Sequence, residues 1–172
     1  HDMREIERLA DHLVLMRDGK VAAAGPLAEM QSDPALPLAA ARDAAVNLDA
    51  VVADSDCGDG LMRLTIGAAA VLAPRADSAA PGARMRLRIA ASDVSLVLTR
   101  PGDTSILNIL PATIISAAPL GEGEMLVIVG LSGAPPSTRL VARITRRSWR
   151  HLDLAVGRSV FAQVKGVSLA RG

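Results

Sequence analysis

An imperfect internal repeat is the feature that most constrains how this chain can fold. Residues 82–98, GARMRLRIAASDVSLVL, line up after a two-residue gap with residues 157–170, GRSVFAQVKGVSLA. Each copy has a glycine, an alternating strand and then VSL. A strand-rich stretch precedes each copy, LDAVVADSD in one half and ILPATIISA in the other. Two diverged copies of a β unit of roughly 60 residues explain this pattern better than two unrelated strand endings.

The strands of these units show the period of half-buried β structure. Met85, Leu87 and Ile89 alternate with three arginines, so one face is apolar and the other is charged. Turn signals such as CGDG, APGA, GEG and SGAPP separate the strands at short intervals. This spacing predicts a mainly β fold, a small barrel or sandwich, and not a βαβ sheet.

The first 32 residues follow a different pattern. DMRE resembles a capping box, with Asp2 as the cap, and begins a helix in which Met3, Ile6, Leu9 and Ala10 share one face. HLVLM is a short strand, RDGK predicts a hairpin turn, and GPLAEM predicts a short helix with a proline at its first position. Such a segment has too little apolar surface of its own to pack against, so we interpret it as the end of a larger domain.

The domain organisation follows from these changes of pattern. Residues 1–32 form the first segment, and residues 33–46, which are rich in proline and alanine, form a linker that is partly helical. Residues 47–172 form the β domain, with repeats at about 47–100 and 104–171.

Composition excludes several classes of function. Half of the residues are hydrophobic, which is enough for a core, but the longest apolar stretches are shorter than a membrane span. The two aromatic residues, Trp149 and Phe161, are too few for a barrel that stacks nucleic-acid bases, so we expect no nucleic-acid partner. His12 and His151 lack metal-type spacing with cysteine or carboxylate partners, and we expect no metal site. The single cysteine, Cys57, cannot form an internal disulfide and fits a reducing, cytoplasmic compartment.

Charge is informative only through its distribution. The formal net charge is +1. From residue 131 onward, Asp153 is the only acidic residue, against eight basic ones, which are Arg139, Arg143, Arg146, Arg147, Arg150, Arg158, Lys165 and Arg171. This half of the chain is either a solvated basic face or a region that binds an anion.

The stretch HDMREIERLADHLVLMRDGKVAAAGPL resembles the last part of the nucleotide-binding domain of ABC transporters. His1 takes the position of the family's switch histidine, which senses the γ-phosphate of ATP. The sequence contains no GxxxxGK[ST] loop, no LSGG signature and no acidic Walker B strand. The resemblance therefore implies that this chain alone does not hydrolyse ATP, which would be a cofactor only of a longer parent protein.

The segments RIAASDVSLVL, TSILNILPATI and FAQVKGVSLA resemble the C-terminal region of the molybdate-importing ABC ATPases. That region is built from Mop-type (molbindin-like) repeats. The resemblance implies an OB-like β-barrel of two Mop-type repeats, preceded by a short α/β remnant of the ATPase domain. It also implies a homodimer, contact with the parent ATPase domain and the membrane permease subunit, and a peripheral position at the inner face of the cell membrane.

The same resemblance implies an oxyanion site. Molybdate is a tetrahedral dianion, which needs converging hydroxyl and N–H donors and a cation that offsets desolvation. The family uses a TSxRN segment, an xITxxS turn and a K[AG] pair, placed between subunits or repeats. Carried over to this sequence, these motifs give as candidate ligands of molybdate or tungstate Thr104, Ser105 and Asn108, then Thr145 and Ser148, then Lys165 and Gly166.

One position departs from the family pattern, because Leu107 stands where the family has an arginine. Arg143, Arg146 or Arg147 could compensate for the lost charge. The first repeat is a poorer site: the AAVN stretch around Asn47 lacks the paired hydroxyls. Ser92 and Ser95 are kept there, but Asp93 would repel a dianion unless turned away.

Three interpretations remain open at this level. The β domain is a regulatory module that binds molybdate or tungstate, a structural dimerisation module with a degenerate pocket, or an accessory domain of a sugar or sulfate importer. Leu107 favours the second interpretation, while TSILN and ASDVSLVL together favour the first. The local alternatives, in which Thr104 and Ser105 cap a turn and Lys165 is merely solvated, also stand.

Overall fold

A computed structural model of the chain, described for residues 3–77 and 79–169, is mainly β, as the sequence predicts. The first segment consists of helix α1 (Met3–Leu9), strands β1 (His12–Arg17) and β2 (Lys20–Pro26), and helix α2 (Leu27–Gln31), and helix α3 (Pro37–Ala40) lies in the linker. The first β unit contains β3 (Ala45–Asp54), β4 (Leu61–Ile66), β5 (Ala69–Pro74), β6 (Arg84–Ala90) and β7 (Val94–Val97). The second contains β8 (Asn108–Leu120), β9 (Glu124–Leu131), β10 (Arg139–Thr145), α4 (Arg146–His151), β11 (Ser159–Val164) and β12 (Ser168–Leu169).

The two β units form two five-stranded antiparallel sheets that exchange their last strands. One sheet has the order β12-β6-β3-β4-β5, and the other has the order β10-β9-β8-β11-β7. Strand β7 thus leaves the first unit and pairs with β11, while β12 leaves the second unit and pairs with β6. The serines of the two VSL motifs occupy matching places, since Ser95 pairs with Gln163 and Ser168 pairs with Arg88.

A single hydrophobic core joins the two units. It includes Leu64 and Leu87 from the first sheet and Ile114, Ile128 and Leu140 from the second, all fully buried. The alternation read from β6 is confirmed, because Leu87 and Ile89 are buried on one face. The aligned halves, the strand exchange and the shared core give the OB-like pair of repeats that the sequence predicts.

Two hairpin turns, one from each unit, touch where the sheets meet. The backbone N–H of Ala68 donates to the carbonyl oxygen of Gly133 at 2.7 Å. Gly67 has φ +61°, and a β-carbon placed on it would lie 2.6 Å from that same oxygen. Only glycine combines this left-handed backbone with so close an approach. The turn at Gly67 is therefore part of the contact between the units.

The N-terminal hairpin agrees with its sequence signal. Asp18 and Gly19 both have positive φ, 49° and 73°, as a tight primed turn requires. Pro26 differs by one position from the expectation: it ends β2 and caps α2, whose first residue is Leu27. On α1 the apolar face is only partly covered, since Leu9 is 69% exposed, whereas Glu7 is buried.

The charged face of β6 explains why Glu7 is buried. Arg88 Nε donates to Glu7 Oε2 at 2.8 Å, and Gln31 Nε2 donates to Glu7 Oε1 at 3.0 Å. Arg86 donates to the carbonyl oxygen of Ala10 at 3.0 Å and pairs with Asp11. The hydrogen bond with Asp11 raises the pKa of the Arg86 guanidinium above its ordinary value, although partial burial acts against it. Two arginines of the first repeat thus dock the N-terminal segment.

Within residues 3–77 and 79–169, no helix combines the length and the apolar character needed to cross a membrane.

The contact between the two turns can be measured with a matched pair of glycine substitutions. Gly67→Ala and Gly58→Ala both place a side chain on a positive-φ residue, but nothing lies within 4 Å of a β-carbon at Gly58. We expect Gly58→Ala to lower the free energy of unfolding by about 1–2 kcal/mol, from backbone strain alone. Gly67→Ala should cost about 1–3 kcal/mol more, because it also overpacks the contact. Chemical denaturation measures both values, and equal losses would contradict this role of the turn.

Candidate functional site

The TSILN segment lies in the loop before β8, and its hydroxyl groups are used unequally. Thr104 Oγ1 accepts a hydrogen bond from the backbone N–H of Ile106 at 3.1 Å, which is a local turn. Ser105 is exposed, and no hydrogen bond from its hydroxyl is found among the described residues. Leu107 is 60% exposed, so the position that carries the family's arginine points a large apolar side chain to the surface. Thr104 and Ser105 each keep an O–H that can donate to a ligand, whereas Leu107 offers no donor.

Asn108 has a structural use. Its Oδ1 accepts from the backbone N–H of Leu72 at 2.7 Å, and its Nδ2 donates to the carbonyl oxygen of Leu72 at 2.9 Å. The amide thereby pairs with edge strand β5 as another strand would. Asn108 is buried and both ends of its amide are occupied. These two hydrogen bonds position the segment on β5.

Thr145 and Ser148 form a helix cap. Thr145 is the N-cap residue of α4, and its Oγ1 accepts from the backbone N–H of Ser148 at 3.0 Å. The two hydroxyl oxygens lie 2.8 Å apart. No hydrogen bond among the described residues joins this pair to the other two candidate segments. The hydroxyl pair stands at the end of β10, opposite Glu124 on β9.

Lys165 and Gly166 lie beside the TSILN segment. Val164, at the end of β11, pairs with Asn108 on one side and with Val94 on the other, so TSILN and VKG are neighbours across the sheet. The backbone N–H of Lys165 donates to the carbonyl oxygen of Asp93 at 2.9 Å, and its side chain is exposed. The structure therefore brings the first and third candidate segments together.

Gly166 is held against Asp93. A β-carbon on Gly166 would lie 2.8 Å from Asp93 Oδ2, so a larger residue would displace the carboxylate. Asp93 would not repel a bound dianion only if its carboxylate turned away from the site, and here the carboxylate lies against Gly166. Asp93 remains a negative charge next to the VKG segment.

A cavity of about 140 Å³ opens at this place, lined by Arg88, Ala90, Asp93, Gly166, Val167 and Ser168. A water molecule's share of liquid volume is about 30 Å³, so the cavity has room for an anion with four oxygens. Sequence reasoning missed Arg88 and Ser168. Arg88 belongs to the charged face of RMRLRIA, and Ser168 is the serine of the second VSL motif. These two patterns could have pointed to the residues, but nothing in the sequence showed that β12 pairs with β6.

The three arginines considered as substitutes for the family's arginine have separate positions. Arg143 donates to the carbonyl oxygens of Ala40, Ala41 and Arg42, and so binds the linker. Arg146 donates to the carbonyl oxygen of Gly121. Arg147 is exposed on α4. None of them lines the cavity at Gly166.

Among the described residues, no hydrogen bond joins the first-repeat candidates Asn47, Ser92 and Ser95 to one another. The backbone N–H of Asn47 and its Nδ2 both donate to Gln31 Oε1, at 2.9 and 3.2 Å. Ser92 is exposed, and Ser95 donates to Gln163 Oε1 at a long 3.4 Å. No cluster of three or more histidine, cysteine or acidic residues suited to a metal ion occurs in the part of the chain that the structure describes. His1 lies outside the described residues.

Comparison with known proteins places these residues in a named domain. Residues 104–170, which include all seven candidate ligands, match the family model of the TOBE domain. The chain is 60% identical over 172 residues to the molybdenum import ATP-binding protein ModC of Rhodopseudomonas palustris strain BisB18, covering 100% of this chain and 45% of that protein. It is 41% identical over 170 residues to ModC of Rhodobacter capsulatus, covering 99% of this chain and 47% of the relative. The chain thus spans less than half the length of these relatives.

A solved structure supports the fold. The molybdate-bound cytoplasmic protein ModG superimposes with a TM-score of 0.61, at 22% sequence identity, covering 72% of this chain and 93% of ModG. At this identity the match shows that the two proteins share a fold.

The division between positioning and ligand-facing residues can be tested by two truncations. Asn108→Ala should lower the free energy of unfolding by about 1–3 kcal/mol, because Leu72 loses both hydrogen-bond partners. Ser105→Ala should leave stability within about 0.5 kcal/mol, as is usual for an exposed residue. Thermal and urea unfolding give both values. An Asn108→Ala variant as stable as Ser105→Ala would contradict the positioning role.

Proposed function

Because the chain belongs to the family of the molybdenum import ATP-binding proteins and corresponds to their C-terminal part, we propose that it binds molybdate or tungstate and regulates import. The observation that supports this best is the adjacency of TSILN and VKG, which the pairing of Asn108 with Val164 produces. Ser105 and Lys165 offer exposed donors there, and the neighbouring cavity at Gly166, whose lining includes neither of them, has room for a tetrahedral oxyanion. Charge-assisted donation by Lys165 is the main source of affinity.

The proposed site is completed by a second copy of the chain. Thr145 and Ser148 are the second part of the family's motif, yet among the described residues of one chain they are bonded to each other and not to the other two parts. In a homodimer the exposed Thr145–Ser148 pair of one protomer faces the Ser105–Lys165 region of its partner. A site shared between subunits needs donors from both, which links anion binding to assembly.

The longer parent protein carries out the ATP-dependent step. Leu9, Val14, Met16 and Val21 are large apolar side chains, each more than half exposed on α1, β1 and β2. Apolar surface of this kind packs against the rest of an ATPase domain, which would bind ATP and contact the membrane permease at the inner face of the membrane. Oxyanion binding shifts the population toward the state in which import is slow, and this requires different affinities in the two states.

A second candidate function is a structural dimerisation module with a degenerate pocket. The exposed Leu107 and the structural uses of Thr104, Asn108 and Thr145 favour it. The accessory domain of a sugar or sulfate importer has less support, since the relatives compared are molybdenum import proteins.

Calorimetric titration of the 172-residue chain with molybdate, and separately with tungstate, tests the proposal. We expect heat of binding at submillimolar oxyanion, reduced at least tenfold in affinity by Lys165→Ala, since a charged donor contributes about 1.5–3 kcal/mol. Lys20→Ala, a charge change on the distant β1–β2 turn, is the matched control and should bind as the wild type does.

Analytical ultracentrifugation of the same samples separates the two candidate functions. Binding together with a dimer supports the regulatory module. A dimer that releases no heat with either oxyanion would leave only the structural module.

A further inference from the structure

The cavity at Gly166 has a fixed positive charge that comes from the other repeat. Arg88 belongs to β6 of the first unit, and it reaches the VKG segment because β12 pairs with β6. The matching position in the second unit, opposite Ser95, is the neutral Gln163. The strand exchange therefore places an arginine in this cavity, whereas the matching strand position of the other sheet has none.

Besides Lys165, which lies outside the cavity lining, an anion that enters the cavity needs a cation within it. Asp93 lines the same cavity and would repel a dianion. Leu107 supplies no cation, and Arg143 and Arg146 are bonded elsewhere. Arg88 is the arginine in the cavity lining, and among the described residues its hydrogen bonds come from Nε and Nη2, with none from Nη1. A guanidinium in this position can donate to two oxygens of a tetrahedral oxyanion.

The same guanidinium is bound to the N-terminal segment. Arg88 Nε donates to Glu7 Oε2 at 2.8 Å and Nη2 donates to the carbonyl oxygen of Asp43 at 3.2 Å. The Glu7 side chain is 5% exposed, so its charge depends on Arg88 and on the amide of Gln31. A buried carboxylate that loses its cation is strongly disfavoured. One side chain thus touches both the cavity and helix α1.

We propose that Arg88 replaces the arginine missing at position 107 and that Glu7 competes with the bound oxyanion for it. This proposal rests on the proposed function, and it gives a route by which oxyanion binding in the cavity changes the docking of the N-terminal segment. When an oxyanion binds, the Glu7–Arg88 ion pair weakens and α1 docks less tightly on β6. Thermodynamic linkage makes this effect reciprocal. The factor by which oxyanion binding weakens the docking of α1 equals the factor by which docking through Glu7 lowers the affinity for the oxyanion.

Glu7→Gln tests the competition, with Asp11→Asn as the matched control. Both remove one negative charge from the N-terminal segment, but Asp11 pairs with Arg86, which does not line the cavity. Calorimetry with molybdate should show affinity at least five-fold higher for Glu7→Gln, within the usual range of coupling between sites. Asp11→Asn should stay within two-fold of the wild type. Equal affinities in Glu7→Gln and the wild type would overturn the proposal.

Two further measurements keep the result independent of folding defects. Arg88→Gln should lose molybdate binding by at least tenfold, with circular dichroism reporting whether the β fold is kept. If the Arg88→Gln variant does not fold, amide hydrogen exchange in the wild type tests the competition instead. Exchange in residues 3–9 should rise with saturating molybdate, and unchanged exchange would overturn the proposal.

The outcomes distinguish this inference from the function on which it rests. Molybdate binding by the wild type with no effect of Glu7→Gln would remove the competition and leave the regulatory module in place. No binding of molybdate or tungstate by the wild type would remove both.

Discussion

The two β units hold together because each gives its last strand to the other's sheet. β7 extends the sheet of the second unit and β12 extends that of the first, so neither sheet is complete without the other repeat. The shared core and the contact between the Gly67 and Gly133 turns also join the two units. The strand exchange also determines which groups line the cavity, since it places VKG and Ser168 of the second repeat next to Arg88 of the first.

Arginines on the strands of the β units bind the segments that precede them. Arg86 and Arg88 contact residues 7 to 11, and Arg143 contacts the carbonyl oxygens of residues 40 to 42. Guanidinium groups suit this task because their fixed, planar set of N–H donors can satisfy several carbonyl or carboxylate oxygens at once. The N-terminal segment is therefore attached to the β domain through charged contacts, and the proposed competition by an oxyanion would act on these contacts. Apolar packing alone would offer no such competition.

The sequence predicted those features that depend on local pattern. The alternation of RMRLRIA predicted the buried face of β6, Asp18–Gly19 predicted the hairpin, and the paired VSL motifs predicted two related units. The family motif identified seven residues, and the structure gives them different uses. Asn108 pairs with an edge strand and Thr145 caps a helix, because a buried amide and the first N–H groups of a helix must find partners within the fold. Such uses depend on neighbours distant in sequence, which no local pattern reveals.

By itself the sequence determined the fold class, the two-fold repeat and the membership of the family. Strand period, turn residues and motif spacing depend only on the order of residues along the chain. Tertiary structure alone decided that the repeats exchange strands, that Asp93 stays against Gly166, and that Arg88 joins the cavity to Glu7. The physical reason is that strand pairing and ion pairing act across space. Glu7 and Arg88 are 81 residues apart in sequence, and only the docking of α1 on β6 brings them within hydrogen-bond distance.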